Sequence, residues 1–207
     1  RPTKLLHKYI DTYGSVHTAT RHIRDEFSVS MEKLKTLAAI GAYQRPFLES
    51  ADDKTVSVYC GIPFCDTRCV YCSFPFGIYQ EYKDKSAFLR ALHLDMKDMK
   101  SIVDEYGLTV DSLYMGGGTP TVLGNEDFHH VLRQLTILVP DGHEFTVEAG
   151  RPDSVTPEKL KTMLSAGVNR ISINPQTMQD DILRYIGRGH TTQDIDDLLQ
   201  YVKVHTP

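Results

Sequence analysis

No stretch of the 207 residues approaches the ~20 consecutive apolar residues that a helix needs to cross a bilayer, which excludes a helical membrane span. No basic start runs into an apolar segment either, so no signal peptide is expected. A basic excess is missing: 23 Lys and Arg stand against 27 Asp and Glu, for a formal net charge of -4. Without a basic stripe, binding to nucleic acid through phosphate contacts is not expected, and a small molecule is the expected partner. Cysteine is scarce, with four in the chain, too few for a disulfide scaffold. All four, Cys60, Cys65, Cys69 and Cys72, fall in one short stretch. Clustered thiols without a secretory signal point to metal in a reducing compartment, so a cytoplasmic setting is expected. Low-complexity tracts are absent too, and 41% of the residues are hydrophobic. A chain of this length can bury roughly 70% of its unfolded surface in a core.

The sequence starts at Arg1 without a methionine and stops at Pro207 just after a helical pattern, and it is read as an internal fragment. Residues 1–53 are expected to be helical, with Met31, Leu34, Leu37 and Ala38 at helical spacing and Gly41 as a stop. Residues 54–207 alternate strand-like and helix-like segments, the signature of parallel β/α units in an α/β fold. Strands are expected over 55–62, 110–116, 144–149 and 170–176. The first helix carries Leu89, Leu92, Met96, Met99 and Val103 on one face. The second follows Asn125 as N-cap and sets Phe128, Val131, Leu132 and Leu135 inward. The third opens on Thr156 and Pro157, buries Leu160, Met163 and Leu164, and stops at Gly167. A last helix carries Ile195, Leu198, Leu199 and Val202, and the pattern ends where a fifth strand is due.

Successive residues of a strand point to opposite faces, so side-chain parity carries information. Val56, Val58, Cys60 and Ile62 alternate with Thr55, Ser57, Tyr59 and Gly61. Phe145, Val147 and Ala149 oppose Thr146 and Glu148; Ile171, Ile173 and Pro175 oppose Ser172, Asn174 and Gln176. A curved parallel sheet with helices outside and a polar concave face suits a partly open barrel around a cofactor and substrate. The alternative is a flat doubly wound sheet, whose strands, buried on both faces, favour continuous apolar runs.

Cys65, Cys69 and Cys72 form a CxxxCxxC array directly after the first strand. Three thiolates can hold three corners of a [4Fe-4S] cubane and leave the fourth iron open. A zinc site, completed by Cys60 or a histidine, is the alternative that the spacing alone leaves open. Parity puts Cys60 with the apolar face of its strand, as a core thiol. At the end of the second strand, Met115 to Pro120 reads MGGGTP; glycines there let a ligand approach the backbone, or simply make a turn. No GKS or GKT follows, so the segment is not a P-loop.

Five segments, YCGIPFCDTRCVYCSF, YMGGGTPTVL, FTVEAGRPDS, GVNRISINPQTM and IGRGH, together resemble the radical S-adenosylmethionine (SAM) superfamily, in the branch of the oxygen-independent coproporphyrinogen III oxidases. The resemblance covers about residues 55 to 190. It implies a partial (β/α) barrel, with about four of six units present, preceded by the small helical segment. It also implies a [4Fe-4S] cluster on Cys65, Cys69 and Cys72, with SAM chelating the open iron. Reductive cleavage of SAM then gives a radical that abstracts hydrogen from a porphyrinogen, whose propionates become vinyls. The implied partners are that porphyrinogen and a one-electron donor protein, in an anaerobic heme pathway.

By the same resemblance, Tyr59 lies near the cluster and SAM, Tyr71 contacts adenine, and Gly116, Gly117, Gly118 and Thr119 receive the methionine amino group. Glu148, Gln176 and Arg188 match polar contacts to SAM. Parity independently sets Tyr59, Glu148 and Gln176 on polar, inward faces. His190 is assigned no catalytic role. The oxidases carry a further cysteine two residues after the third ligand, where this chain has Phe74; an aromatic there resembles the heme-chaperone relatives. The EAGRPDS and SINPQTM segments resemble the coproporphyrinogen dehydrogenase-like subgroup. The expected function is therefore oxidative decarboxylation of coproporphyrinogen III to protoporphyrinogen IX, with a heme chaperone as the alternative.

Overall fold

A computed structural model describes residues 2–74, 77–138 and 144–205. The chain divides into two compact units, Arg1–Asp53 and Lys54–Pro207. The first has three helices, α1 (Pro2–Tyr13), α2 (Val16–Phe27) and α3 (Met31–Ser50). Ser15 and Ser30 cap α2 and α3, their hydroxyls accepting from the amides of Thr18 and Lys33, which satisfies donors that a helix start leaves open. Leu6, Ala19, Ile23 and Leu34 form the core of this unit. Gly41 does not end a helix as expected; it is buried within α3, where a Cβ would fall 2.3 Å from Leu6 Cδ2. The missing side chain lets α1 and α3 approach closely, a tertiary reason that local propensity does not carry. Met31 is exposed, although it shares helical spacing with buried Leu34.

The second unit runs β1 (Thr55–Ile62), β2 (Phe64–Cys65), β3 (Gly77–Ile78), α4 (Lys85–Glu105), β4 (Thr109–Gly117), α5 (Asn125–Thr136), β5 (Glu144–Glu148), α6 (Pro157–Ser165), β6 (Arg170–Ser172), α7 (Asp180–Tyr185) and α8 (Thr192–His205). The main sheet is parallel throughout, with strand order β1-β4-β5-β6. Within this sheet the spatial order of the strands follows their order in the chain, as in a barrel; a doubly wound sheet would reverse its order at a switch point. The unit is a segment of a (β/α) barrel.

The helix-facing side of the sheet forms the core. Val58, Cys60 and Ile62 of β1, Leu113 and Met115 of β4, and Phe145 and Val147 of β5 pack with Met96, Phe128, Leu132, Leu160 and Met163 from α4, α5 and α6. The opposite face is polar and largely open: Ser57 accepts a hydrogen bond from Ser112, and the rings of Tyr59 and Tyr114, paired in register, stack at 5.9 Å.

Local details depart from the sequence expectations in places. Gly124, not Asn125, occupies the N-cap of α5, and Asn125 is its first residue. Met99, Leu164 and Leu199, expected on the inward faces of their helices, are exposed. Thr146 is fully buried despite its polar parity, because it lies mid-sheet with Tyr114 and Arg170 as register neighbours. The fourth strand stops at Ser172, well short of residue 176. Its ladder ends where its partner β5 ends, with Glu148 set against Ser172.

Candidate cofactor site

The cysteine loop leaves the sheet at the carboxyl end of β1. Its base is closed by the short parallel pair of β2 and β3: Gly77 N–H donates to the Pro63 carbonyl at 3.0 Å and Tyr79 N–H to that of Cys65 at 2.9 Å. Inside the loop, Cys72 N–H donates to the Cys69 carbonyl at 3.0 Å. Cys65 and Cys69 are buried, Cys72 is partly exposed, and all are free thiols. Burial pushes the Cys65 thiol up, opposed by a 3.3 Å hydrogen bond from Thr119 Oγ1 and by the charge of Arg151. Cys60 sits on the other side of β1, against the helices. Its pKa is pushed up to about 12 by burial alone, so it stays a neutral core thiol.

The glycine segment ends β4 next to this loop. Gly118 N–H donates to the Ile62 carbonyl at 2.8 Å and Thr119 N–H to that of Phe64 at 2.7 Å. A Cβ on Gly117, where φ is +111°, would stand 2.7 Å from the Ile62 oxygen; one on Gly118 would stand 2.4 Å from the Phe64 oxygen and 2.9 Å from Cys65 Sγ. These two glycines are thus required by the approach of the chain to its own cysteine loop, beyond any approach of a ligand. At Gly116 a Cβ would meet the Tyr114 ring at 2.8 Å and the Glu148 carboxylate at 3.1 Å.

Cys65, Cys69, Tyr71, Cys72, Gly117, Gly118, Thr119, Glu148, Gln176 and Arg188 line one cavity of about 250 Å³ at the carboxyl ends of the strands. Tyr59 and Gly116 are not in its wall. Tyr59 is 60% exposed on the polar face and reaches the cavity only through Tyr114, on which it stacks and whose hydroxyl donates to Glu148 at 2.7 Å. Gln176 reaches the wall from a loop rather than a strand, at a left-handed φ of 67°. Arg188 donates from Nη1 to the Gly150 carbonyl at 3.3 Å, while its buried Nε has no hydrogen-bond partner among the described residues. Gly187, at φ +81°, brings this loop against the cysteine loop: Val70 N–H donates to the Ile186 carbonyl at 3.1 Å.

Several further residues form the wall without a cofactor role assigned to them from the sequence. Phe74, Pro120, Gly150, Arg151 and Asn174 also line the cavity. Arg151 is 3% exposed; it donates from Nη1 to Thr67 Oγ1 at 2.6 Å, and from Nη2 to the Thr67 carbonyl at 2.9 Å and Cys69 Sγ at 3.2 Å. Below it, the buried Lys159 ammonium donates to the carbonyls of Thr121 and Ser154 and locks the turns that follow β4 and β5. Burial lowers the Lys159 pKa. His190 is buried outside the cavity wall, 3.8 Å from Asp153, and burial lowers its pKa.

This donor set fits an iron–sulfur cluster with an attached small molecule. Three thiols in one wall are soft ligands, and Thr119 and Arg151 supply hydrogen bonds to two of the sulfurs. The unpartnered Arg188 Nε suits a carboxylate, and Glu148 suits a cationic or hydroxyl-bearing group. Among the described residues, no group of three or more His, Cys, Asp and Glu side chains is placed to hold a single metal ion.

Known proteins share this sequence and fold. The sequence model of the Radical SAM superfamily matches residues 59–206. The oxygen-independent coproporphyrinogen-III oxidase-like protein HemZ of Bacillus subtilis is 37% identical over 201 residues, 94% of this chain and 40% of its own. The heme chaperone HemW of the same organism is 38% identical over 143 residues, 67% of this chain and 36% of its own. Among solved structures, coproporphyrinogen III oxidase (HemN) from Escherichia coli, a radical SAM enzyme, superposes with a TM-score of 0.65 at 23% identity over 77% of this chain and 37% of its own. The chain therefore spans about two fifths of the length of these relatives.

Proposed function

Because the chain belongs to the radical SAM superfamily, in the branch of the oxygen-independent coproporphyrinogen III oxidases and their relatives, we propose that it is the cofactor-holding part of an enzyme that decarboxylates coproporphyrinogen III oxidatively to protoporphyrinogen IX. Membership brings with it a [4Fe-4S] cluster and SAM. The observation that carries the reading is the sharing of one cavity by the three thiols and by Glu148, Gln176 and Arg188. When bound and reduced, the cluster and SAM supply the radical that begins oxidation of the substrate.

The chain's own residues do the holding. Cys65, Cys69 and Cys72 ligate the cluster, with Thr119 and Arg151 as hydrogen-bond donors to the sulfurs. Arg188 takes the SAM carboxylate, Glu148 and the Gly116–Thr119 segment its amino group or ribose, and Gln176 a further polar contact. Tyr71, half-exposed at the cavity rim, covers the adenine. Tyr59 orients Glu148 at one remove, through Tyr114. A porphyrinogen substrate, a one-electron donor protein and a cytoplasmic setting complete the proposal.

Relatives of both kinds match, the oxidase-like HemZ at 37% and the heme chaperone HemW at 38% identity, and the oxidation reading rests on the EAGRPDS and SINPQTM segments. At 94% coverage the HemZ match takes in most of the first 53 residues, whereas the HemW match is short enough to fit within the barrel segment. A heme chaperone is the second reading, favoured by Phe74, which lies in the cavity wall where the oxidases carry a cysteine. The full-length protein, reconstituted anaerobically and given reductant, SAM and coproporphyrinogen III, is expected to yield divinyl product and carbon dioxide by mass spectrometry. Intact porphyrinogen together with stoichiometric transfer of heme to an acceptor would establish the chaperone instead.

A further inference from the structure

Arg151 is a buried guanidinium in the wall of the cofactor cavity. It sits just past β5, between Gly150 and Pro152, and opens the turn that Lys159 locks from below. Its fork is used on both sides. One nitrogen donates to the Thr67 hydroxyl; the other donates to the Thr67 carbonyl and to Cys69 Sγ. Thr67 Oγ1 in turn donates to the Gly187 carbonyl at 2.7 Å, and the Gly187 backbone carries Arg188. A single side chain thus ties the middle of the cysteine loop to the end of β5 and, through Thr67, to the loop that supplies the other arginine of the cavity.

The contact to sulfur has a second consequence. A hydrogen bond to a ligating thiolate and a buried positive charge beside it both favour the more negative, reduced state of a cluster. The charge cannot be shed, because a guanidinium keeps its proton in a protein. Lysine would not reproduce the arrangement: its ammonium is a point donor on a flexible stem, whereas the guanidinium fork reaches Thr67 and Cys69 from one rigid plane.

We propose that Arg151 is a positioning residue that holds the cysteine loop in register and raises the reduction potential of the cluster through its bond to Cys69 Sγ. This rests on the reading that Cys65, Cys69 and Cys72 hold a [4Fe-4S] cluster. The electron enters from an external one-electron donor, and Arg151 neither gives nor takes a proton in the step. Its effect is on how readily the cluster accepts that electron.

The test is a potentiometric titration of the reconstituted full-length protein, with the reduced cluster read by electron paramagnetic resonance and iron counted in parallel. In Arg151→Met the reduced-to-oxidised ratio at a fixed potential is expected to fall on the order of tenfold, a 59 mV lowering for a one-electron couple. Arg151→Gln keeps an N–H donor without the charge and is expected to fall between the two. A wild-type potential in both variants would overturn the proposal. If Arg151→Met holds no cluster, Arg151→Gln decides alone, since a purely structural role lowers cluster content without moving the potential of the clusters that remain. Failure of the wild-type protein to take up a cluster would instead overturn the reading of the cysteine site.

Discussion

The Tyr114 hydroxyl donates to Glu148 Oε1 at 2.7 Å, a bond between neighbouring strands on the polar face of the sheet. That bond, followed by burial, pushes the Tyr114 phenol up to about 12. A raised phenol pKa favours the neutral form in the folded state. The contribution is therefore fully present below pH ~10, the ordinary tyrosine value, and is lost as pH rises through about 12. The difference between absorbance titrations at about 295 nm of the wild type and Tyr114→Phe is expected to show one phenol ionising near 12. A difference curve centred near 10 would mean that the bond to Glu148 is not formed.

Glu148 stands in the cavity wall, its carboxylate beside Gly116. Glu148→Gln keeps the shape and removes the charge, and hydrogen bonds to charged groups are worth about 1.5–3 kcal/mol. SAM affinity measured by calorimetry is expected to fall roughly 10- to 100-fold. Arg188→Met is expected to weaken binding to a similar degree, because its unpartnered Nε is available for the SAM carboxylate.

The cysteines divide by side of the sheet. Alanine at Cys65, Cys69 or Cys72 is expected to abolish iron uptake, while Cys60→Ala retains it, since that thiol faces the helices. Cys60→Ala is expected to cost about 1 kcal/mol of stability from the small cavity it opens, read by thermal unfolding. Loss of iron from Cys60→Ala would place that residue in the site.

Gly118→Ala is expected to displace the cysteine loop, because the new Cβ would fall 2.4 Å from a carbonyl oxygen of Phe64, a rigid backbone atom, and close to Cys65 Sγ. Lower iron content is the expected readout, with stability reduced by about 1–3 kcal/mol. Gly124→Ala is the control: its Cβ would meet nothing nearer than 3.9 Å, and iron content is expected to hold.

The parts of this architecture that depend on local periodicity are legible in the sequence. The bounds of β1 follow from its alternating residues, and Thr156 with Pro157 marks the start of α6 as expected, the threonine hydroxyl accepting from Lys159 N–H. Parity places Tyr59 and Glu148 on the polar face and Cys60 in the core. What parity cannot supply is the third dimension. Gly41 reads as a helix stop until Leu6 is seen against it, and Gly117 and Gly118 at the end of β4 read as a ligand cradle until the chain at Ile62 and Phe64 is seen occupying that space. Gln176 was expected on a strand, but the ladder of β6 ends with its partner β5, at Glu148 and Ser172, and the residue reaches the cavity from a loop. Arg151 left a signal that could have been used: a charged side chain shortly after β5, between Gly150 and Pro152, where the chain turns toward the site. Tyr114 could have been found by the parity argument that found Tyr59, since the two are paired in register.

The central claim is that the cysteine loop and the polar groups at the ends of β4 and β5 form one cofactor site. The most direct measurement is electron paramagnetic resonance of the reduced, reconstituted full-length protein with and without SAM, on the wild type and Glu148→Gln. A cluster of about four irons whose spectrum SAM alters, with the variant needing a higher SAM concentration for the same change, is the predicted result. A cluster whose spectrum SAM leaves unchanged, or a single zinc in place of iron, would contradict it.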